Sequence, residues 1–250
     1  MDLRNNTVLI TGGATGIGLE LAKAFLERGN SVLICGRREE KLEAARHEFP
    51  SLTYRVADIL NRSDRGAIFE WSASEGVNIL VNNAGMQREV DFTKGLEALE
   101  SGDNEIGINL EAAVYLTAAF TPYLMTKASA AIANVSSGLG FIPIASLPIY
   151  CATKAALHSL TISLRHQLRN SRVKVFEIIP PTVDTELDRG ARARRGQIDR
   201  GISAKEVAEE TMRGMAEDLN EIAIGRAASL VNGSQANFDE IFRRMNGIPA

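Results

Sequence analysis

The chain has few of the residues that build disulfide frameworks or metal sites, and it lacks a strong net charge. Its 250 residues include two cysteines and three histidines, and acids nearly balance bases, for a net charge of −3. Cys35 and Cys151 are isolated, which argues against a disulfide scaffold, and no ligand pattern predicts a metal. We expect both to be reduced thiols, with Cys151 a small buried residue in preference to a reactive one. The small net charge indicates neither a nucleic-acid nor an anionic-membrane partner.

Long apolar runs are also missing. No run reaches the length that spans a bilayer, and residues 1–6 lead into a strand-like stretch without an apolar signal region. We therefore expect a cytoplasmic protein. No linker or repeat divides the sequence, so residues 1–250 are predicted to form a single domain.

Strand-like and helix-like stretches alternate along the chain, a pattern typical of a parallel sheet with helices on both faces. The predicted strands are 7–11, 31–35, 52–57, 78–82, 130–135, 172–178 and 221–224. The predicted helices are 16–28, 39–48, 62–75, 101–127, 149–169 and 203–218. We therefore predict the α/β class, as a Rossmann-like, doubly wound parallel sheet of about seven strands. Phe69 and Trp71 fit the apolar face of a helix and are predicted to lie in the core.

A glycine-rich stretch from Thr11 to Gly18 joins the first predicted strand to the first predicted helix. Its glycines at 12, 16 and 18 allow a tight turn and let backbone N–H groups approach a pyrophosphate at the positive end of the helix. The pattern predicts a dinucleotide ligand, although the same glycines are compatible with a plain turn that only packs closely. The spacing is TGxxxGxG, which differs from the usual GxGxxG.

Tyr150 and Lys154 lie four residues apart at the start of a predicted helix, and Ser137 precedes the tyrosine by thirteen residues. Residues four apart share a helix face, so the ammonium is expected beside the ring. A tyrosine hydroxyl ordinarily titrates near ~10, and a neighbouring ammonium favours the phenolate. The constellation predicts acid/base chemistry on a carbonyl or an alcohol.

Together these motifs make the chain resemble the short-chain dehydrogenase/reductase family in its single-domain form, over nearly the whole sequence. Further motifs follow in the order typical of the family, namely Asp58, Ile79 to Gly85, Asn109 and Pro180 to Thr185. Stretches 83–89 and 150–158 are similar to the branch associated with D-alanylation of lipoteichoic acid. The family usually has Pro-Gly where this chain has Pro180-Pro181, which removes backbone freedom beside the expected nicotinamide site.

The resemblance implies a role for each motif residue. Tyr150 exchanges a proton with the substrate oxygen, a step worth ~10²–10⁴ in rate, and Ser137 hydrogen-bonds that oxygen while Ser136 is structural. Lys154 lowers the tyrosine pKa and holds the nicotinamide ribose, and Asn109 supports a water that connects the lysine to solvent. The implied cofactor-binding residues are Gly12, Thr15, Gly16, Ile17, Gly18, Arg37, Arg38, Asp58, Asn83, Ala84, Tyr150, Lys154, Pro180, Val183 and Thr185.

The end of the second predicted strand indicates which dinucleotide is bound. NAD enzymes of this kind commonly place an acid there, whereas this chain has Gly36 followed by Arg37 and Arg38. No carboxylate repels a 2′-phosphate, and the arginines can pair with it through charge-assisted hydrogen bonds. We therefore expect NADP(H) in preference to NAD(H). The alternative is that both arginines merely begin a solvated helix.

The sequence thus predicts an NADP(H)-dependent oxidoreductase that interconverts a small-molecule carbonyl and alcohol. Two alternatives stay open: a reductase of 3-oxoacyl groups on a carrier protein, and a regulator that binds the dinucleotide without turnover. The family pairs the helices carrying Asn109 and Tyr150, which implies a homodimer or homotetramer, with segment 238–245 as a second contact. The expected pocket walls are Gln87, Leu139, Phe141, Ile144, Pro181 and residues 186–200, where the resemblance implies a lid over the substrate. This arginine-rich stretch is predicted to be a solvated flexible loop in preference to an anion-binding one, although its arginines would also suit an anionic substrate group.

Two further side chains have less specific predictions. His158 lies four residues beyond Lys154 and is predicted to be a packed or interfacial histidine, in preference to a proton relay. Asp58 follows a predicted strand, and the resemblance implies that it hydrogen-bonds the adenine.

Overall fold

Seven strands form one sheet in the computed structural model, which describes residues 1–100, 104–187 and 199–247. The strands are β1 Thr7–Thr11, β2 Ser31–Gly36, β3 Thr53–Val56, β4 Ile79–Asn82, β5 Ala130–Val135, β6 Val173–Ile179 and β7 Glu221–Ala223. Their spatial order is β3-β2-β1-β4-β5-β6-β7, and every neighbouring pair is parallel. The strand order reverses between β1 and β4, where such sheets bind ligands at the carboxyl ends of the strands.

Helices cover both faces of this sheet, so the predicted fold class is confirmed. Within the described ranges the α-helices are α1 Gly16–Leu26, α2 Glu39–Glu48, α3 Arg62–Ser74, α4 Ala112–Leu124, α5 Pro148–Gln167, α6 Ala204–Ala216, α7 Arg226–Ala236 and α8 Phe238–Met245. Shorter helical segments are the 3₁₀ turns Phe92–Leu99 and Gly138–Gly140 and the π-helix Gly107–Glu111. None of the described helices combines the length and apolar character needed to cross a membrane.

The core lies in two layers, one on each face of the sheet. Along β1, Val8 belongs to the buried cluster that includes α1, whereas Leu9 belongs to the opposite cluster with Phe120 of α4. Successive side chains of a strand point to opposite faces, which explains why these central strands are continuously apolar. Phe69 and Trp71 pack, partly buried, against the second cluster.

Within the described residues, the predicted helix over 101–127 is helical from Glu105 to Leu124, but one of its turns is wider than an α-helical turn. Residues 101–103 lie outside the described part, and the π-helix Gly107–Glu111 precedes α4, which begins at Ala112. A π-helix accommodates an additional residue in one turn and often occurs at functional sites. Apolar spacing averaged over a long window does not reveal such a local widening.

Helix α7 is present in the structure but is not among the helices predicted from the sequence. Its sequence, RAASLVNGSQA, is polar and contains a glycine, which disfavours a helix. In the fold, Ala227 and Leu230 lie against Gly138 in the turn after β5, and Ile241 of α8 packs on Gly233. Tertiary packing therefore outweighs local propensity in this segment, which supports the turn that follows β5.

Candidate active site

The glycine-rich turn between β1 and α1 leaves little room for a side chain at Gly12, Gly13 or Gly18. Gly12 has a φ of +64°, in the left-handed region that favours glycine. A Cβ atom on Gly18 would lie 2.3 Å from the Gly12 carbonyl oxygen, so the turn closes onto the start of the helix. The Asn83 amide, which follows β4, donates to the carbonyl oxygens of Thr11 at 2.9 Å and Gly12 at 3.2 Å. The end of β4 therefore holds the turn in place.

A crevice of about 460 Å³ runs along the carboxyl ends of the strands. Its lining includes most of the sequence-predicted cofactor residues, namely Gly12, Thr15, Gly16, Ile17, Gly18, Arg37, Arg38, Asn83, Ala84, Tyr150, Lys154, Pro180 and Thr185. The bare backbone of the turn, at the N-terminus of α1, fits a pyrophosphate. The residues present therefore fit a dinucleotide.

Cations line the crevice where β2 ends. Arg37, Arg38 and Lys41 follow Gly36, and the Arg38 guanidinium donates to Thr15 Oγ1 at 3.3 Å. Sequence reasoning missed Lys41. Its position three residues after Arg38, in the first turn of α2, was the available signal, because such residues share a helix face.

Tyr150 and Lys154 lie together in the first turns of α5, where Pro148 occupies the start of the helix. The Lys154 ammonium donates to the Val135 carbonyl at 2.7 Å and lies 5.6 Å from the centre of the Tyr150 ring. Lys154 is only 4% exposed. Burial lowers the pKa of Lys154 to about 8, although the carboxylates of Glu105 and Glu177 oppose the fall.

Asn109, within the π-helix, connects the segment after β4 to the helix that carries Tyr150. Its side-chain oxygen accepts from the Met86 N–H at 2.8 Å, and its amide donates to the Met86 carbonyl at 2.9 Å and to Thr153 Oγ1 at 3.1 Å. Thr153 in turn donates to the Tyr150 carbonyl at 2.8 Å. One buried amide therefore holds a wall of the crevice against α5.

The two serines after β5 have different surroundings. The buried Ser136 hydroxyl donates to a Glu177 carboxylate oxygen at 2.5 Å. Ser137 Oγ accepts from the Leu139 N–H at 3.1 Å at the start of the 3₁₀ turn. The Gly138 N–H donates to the Pro180 carbonyl at 3.1 Å, so β6 also restrains this turn.

A buried acid that sequence reasoning missed lies behind the site. Glu177 is fully buried in β6, and its second carboxylate oxygen lies 2.8 Å from His158 Nδ1. This contact raises the pKa of His158, partly offset by burial, with a further rise from Glu221 and a small opposing effect of Arg165. A lone acid inside the apolar strand VKVFEII was the signal that could have revealed it.

Other predicted site residues lie beside the crevice. The Asp58 N–H donates to Asp64 at 2.8 Å, and its carboxylate accepts from the Leu60 N–H at 3.0 Å, while its neighbours Ala57 and Ile59 line the crevice. Val183 forms an isolated parallel bridge with Ile202.

Three of the expected pocket walls lie in the crevice lining or beside Tyr150. Gln87 lines the crevice, and Leu139 and Ile144 pack against the small cluster that contains Tyr150 and Cys151. The ring of Phe141, also expected there, lies 4.3 Å from the His158 ring. Most of the predicted lid, residues 188–198, lies outside the described part of the chain.

Comparisons with known proteins agree on one family. A family model described as short chain dehydrogenase matches residues 6–196. The chain is 48% identical, over 98% of both sequences, to the uncharacterized oxidoreductase DltE of Bacillus subtilis (strain 168). Among solved structures, a short chain dehydrogenase from Burkholderia cenocepacia J2315 in complex with NADP is 26% identical, with a TM-score of 0.83 over 98% of this chain and 99% of that one.

A second solved structure is similar in fold. It is a short chain dehydrogenase/reductase from Burkholderia phymatum in complex with NAD, 22% identical, with a TM-score of 0.83 over 100% of this chain and 99% of that one. The two structures therefore contain different nicotinamide dinucleotides.

Proposed function

Given that this chain belongs to the short-chain dehydrogenase/reductase family, in the branch of its Bacillus subtilis relative, we propose that it is an NADP(H)-dependent enzyme that interconverts a carbonyl and an alcohol. Its family makes it an oxidoreductase, and the finer proposal is supported chiefly by one observation. Tyr150 and Lys154 line the same crevice as the glycine turn. An acid/base pair and a dinucleotide cradle therefore share one cavity.

In this proposal Tyr150 donates a proton to the carbonyl oxygen during reduction and removes the hydroxyl proton during oxidation. Lys154 has a pKa of about 8, so it is cationic at neutral pH and favours the phenolate of the nearby ring. Ser137 donates to the same substrate oxygen, which is compatible with its acceptor role toward the Leu139 N–H. The dinucleotide, when bound, supplies or accepts the hydride.

The proposed preference for NADP(H) rests on charge at the end of β2. Gly36 contributes no carboxylate at that position, and Arg37, Arg38 and Lys41 line the adjoining part of the crevice. Arginine and lysine are suited to a phosphate because their N–H groups donate charge-assisted hydrogen bonds to its oxygens. NAD(H) has no phosphate there to gain from these cations.

Replacing Tyr150 by phenylalanine tests the catalytic proposal. The protein would be assayed with a panel of carbonyls, including a 3-oxoacyl carrier substrate, and reduction of each carbonyl would be measured as the oxidation of NADPH. Tyr150→Phe keeps the ring and loses the proton-transferring hydroxyl, so turnover should fall by ~10²–10⁴ while the NADPH dissociation constant changes little.

Tyr115→Phe is the matched control, because its hydroxyl is removed from a ring that contacts Arg65, outside the crevice lining. It should retain wild-type turnover. Near-normal turnover of Tyr150→Phe would contradict the acid/base assignment. Tight dinucleotide binding without turnover of any substrate in the panel would favour the non-catalytic regulator.

The cofactor assignment is tested by titrating NADPH and NADH into wild type and Arg37→Ala. A charge-assisted contact at a partly exposed site is worth about 1.5–3 kcal/mol, so the variant should bind NADPH roughly ten- to a hundredfold more weakly. NADH affinity should hardly change. Arg46→Ala, which removes an exposed arginine from the last turn of α2, controls for net charge. Equal affinity of the unmutated protein for both cofactors would contradict the assignment.

A further inference from the structure

A carboxylate occupies the cation cluster at the end of β2. One oxygen of Glu186 lies 3.1 Å from the Arg38 guanidinium, and the other lies 3.5 Å from the Lys41 ammonium. All three residues line the crevice. These contacts lower the pKa of Glu186, chiefly through the hydrogen bond from Arg38, so the carboxylate is ionised at neutral pH.

This acid comes from a distant part of the sequence. Residue 36, where NAD enzymes commonly have an acid, is glycine, and Glu186 is contributed by the segment that follows β6. The fold therefore places a negative charge beside the end of β2, where residue 36 itself supplies none. A carboxylate and a phosphate accept hydrogen bonds from the same kind of donor, so they compete for the same two cations.

We propose that Glu186 is a specificity-determining residue that competes with the 2′-phosphate of NADP(H) for Arg38 and Lys41. This inference rests on the proposed function, in which these cations receive the phosphate. Binding of NADP(H) has to displace the carboxylate from both cations, whereas NAD(H), which lacks the phosphate, leaves both ion pairs intact. Glu186 therefore weakens the binding of NADP(H) but not of NAD(H), which reduces the ratio of the two affinities.

The size of the effect follows from exposure and charge. The side chains of Arg38, Lys41 and Glu186 are 53%, 40% and 50% exposed, so solvent and salt screen their interactions. A phosphate monoester carries about −1.5 to −2 charges against −1 for a carboxylate, so the phosphate can displace it. Releasing two exposed ion pairs should change NADPH affinity by about three- to tenfold at low ionic strength, and by less at high salt.

The test compares Glu186→Gln with Glu43→Gln. Both remove one negative charge, and Glu43 is an exposed residue of α2 outside the crevice lining. Dissociation constants for NADPH and NADH would be measured by calorimetry in low and high salt. Glu186→Gln should bind NADPH about three- to tenfold more tightly and leave NADH within about twofold, whereas Glu43→Gln should change neither. Equal tightening of both cofactors, or the same gain in Glu43→Gln, would overturn the proposal.

A second comparison tests whether the effect depends on the two cations. In an Arg38→Ala, Lys41→Ala background, Glu186→Gln should no longer alter NADPH affinity, because both of the cations that the carboxylate contacts are then absent. A gain that persists in this background would show a different cause and overturn the inference.

The outcomes also separate this inference from the proposed cofactor preference. If the wild-type protein prefers NADPH and Glu186→Gln leaves its NADPH affinity unchanged, only the inference about Glu186 is contradicted. Wild-type protein that binds NADH as tightly as NADPH defeats the proposed preference. A gain for NADPH in Glu186→Gln would then still support competition at this site.

Discussion

At the residue scale, the two serines after β5 differ in their hydrogen-bond partners, and we propose different roles for them. Ser136 and Ser137 are adjacent, yet Ser136 donates to the buried Glu177, and Ser137 begins the turn beside the helix that carries Tyr150. A buried carboxylate that loses a hydrogen-bond donor is costly, whereas loss of a hydroxyl that donates to substrate affects only the reaction. Equivalent substitutions at the two positions should therefore have different consequences.

We expect Ser137→Ala to lower kcat by on the order of 10²-fold with little change in melting temperature, because it removes one donor to the substrate oxygen. Ser136→Ala should destabilise the protein by about 1–3 kcal/mol, because Glu177 loses a donor. Thermal unfolding and steady-state kinetics on the two variants check this division. A large loss of stability in Ser137→Ala, with unchanged kcat in the protein that remains folded, would reverse the assignment.

The His158–Glu177 contact predicts a pH dependence of stability. The pKa of His158 is raised above its unfolded value of ~6.5, so the stabilisation is fully present below that pH and is lost as pH rises through the folded-state pKa. Glutamine at 158 could donate to Glu177 at every pH. The melting temperature of wild type relative to that of His158→Gln should therefore fall as the pH rises from about 5.5 to about 8.5. This range runs from about one unit below the unfolded pKa of ~6.5 to about two units above it. A difference that is constant across this range would contradict a charged pair.

At the element scale, the strand, turn and helix that begin the chain form a unit in which only certain positions tolerate a side chain. Gly18 lies in the first turn of α1, against the Gly12 carbonyl, and Gly66 lies in α3 with open space around it. A methyl group therefore has opposite effects at the two positions. At Gly18 it meets backbone that cannot move aside, while at Gly66 it only reduces the conformational freedom of the unfolded chain.

Gly18→Ala should destabilise the protein by about 1–3 kcal/mol or more and abolish measurable dinucleotide binding, because the turn has to open. Gly66→Ala should stabilise it by about 1 kcal/mol, or roughly 2–4 °C in melting temperature, with binding unchanged. Differential scanning fluorimetry with and without NADPH distinguishes these outcomes. Wild-type binding by Gly18→Ala would show that the turn is not the cradle we propose.

At the scale of the whole molecule, we propose one domain over residues 1–250 that associates with further copies of itself. Support for association comes from apolar side chains left exposed on the two helices that the family pairs. Val114 of α4 is 42% exposed and Ile162 of α5 is 44% exposed. Exposed apolar residues on these two helices are compatible with an interface between copies. Phe238 of α8, 41% exposed, would belong to the second contact.

Charging one of these positions tests the assembly. Ile162→Asp should convert the proposed dimer or tetramer to monomers in light scattering at micromolar concentration, since an unpaired carboxylate in an apolar interface is strongly unfavourable. Leu96→Asp is the control, because Leu96 is 82% exposed in the 3₁₀ segment and belongs to neither helix. Monomeric wild-type protein at that concentration would refute the prediction.

The amino-acid sequence by itself determined the order of strands and helices along the chain, the glycine turn and the pairing of Tyr150 with Lys154, for which we propose a catalytic role. These features depend on local patterns: apolar runs mark buried parallel strands, glycine spacing marks the turn, and Tyr150 and Lys154 are neighbours because a helix turns every 3.6 residues. The reversal of strand order then follows from packing helices on both faces, and the motifs meet at one edge because every strand ends there.

Only the tertiary structure decided which distant charges meet. Glu186 is far in sequence from Arg38 and Lys41, and Glu177 meets His158 only because β6 lies beneath α5. The π-helix around Asn109 and the packing of α7 against the turn after β5 also depend on neighbours rather than on propensity. Long-range contacts are selected by the packing of the whole sheet, so no local window of the sequence contains the information that specifies them.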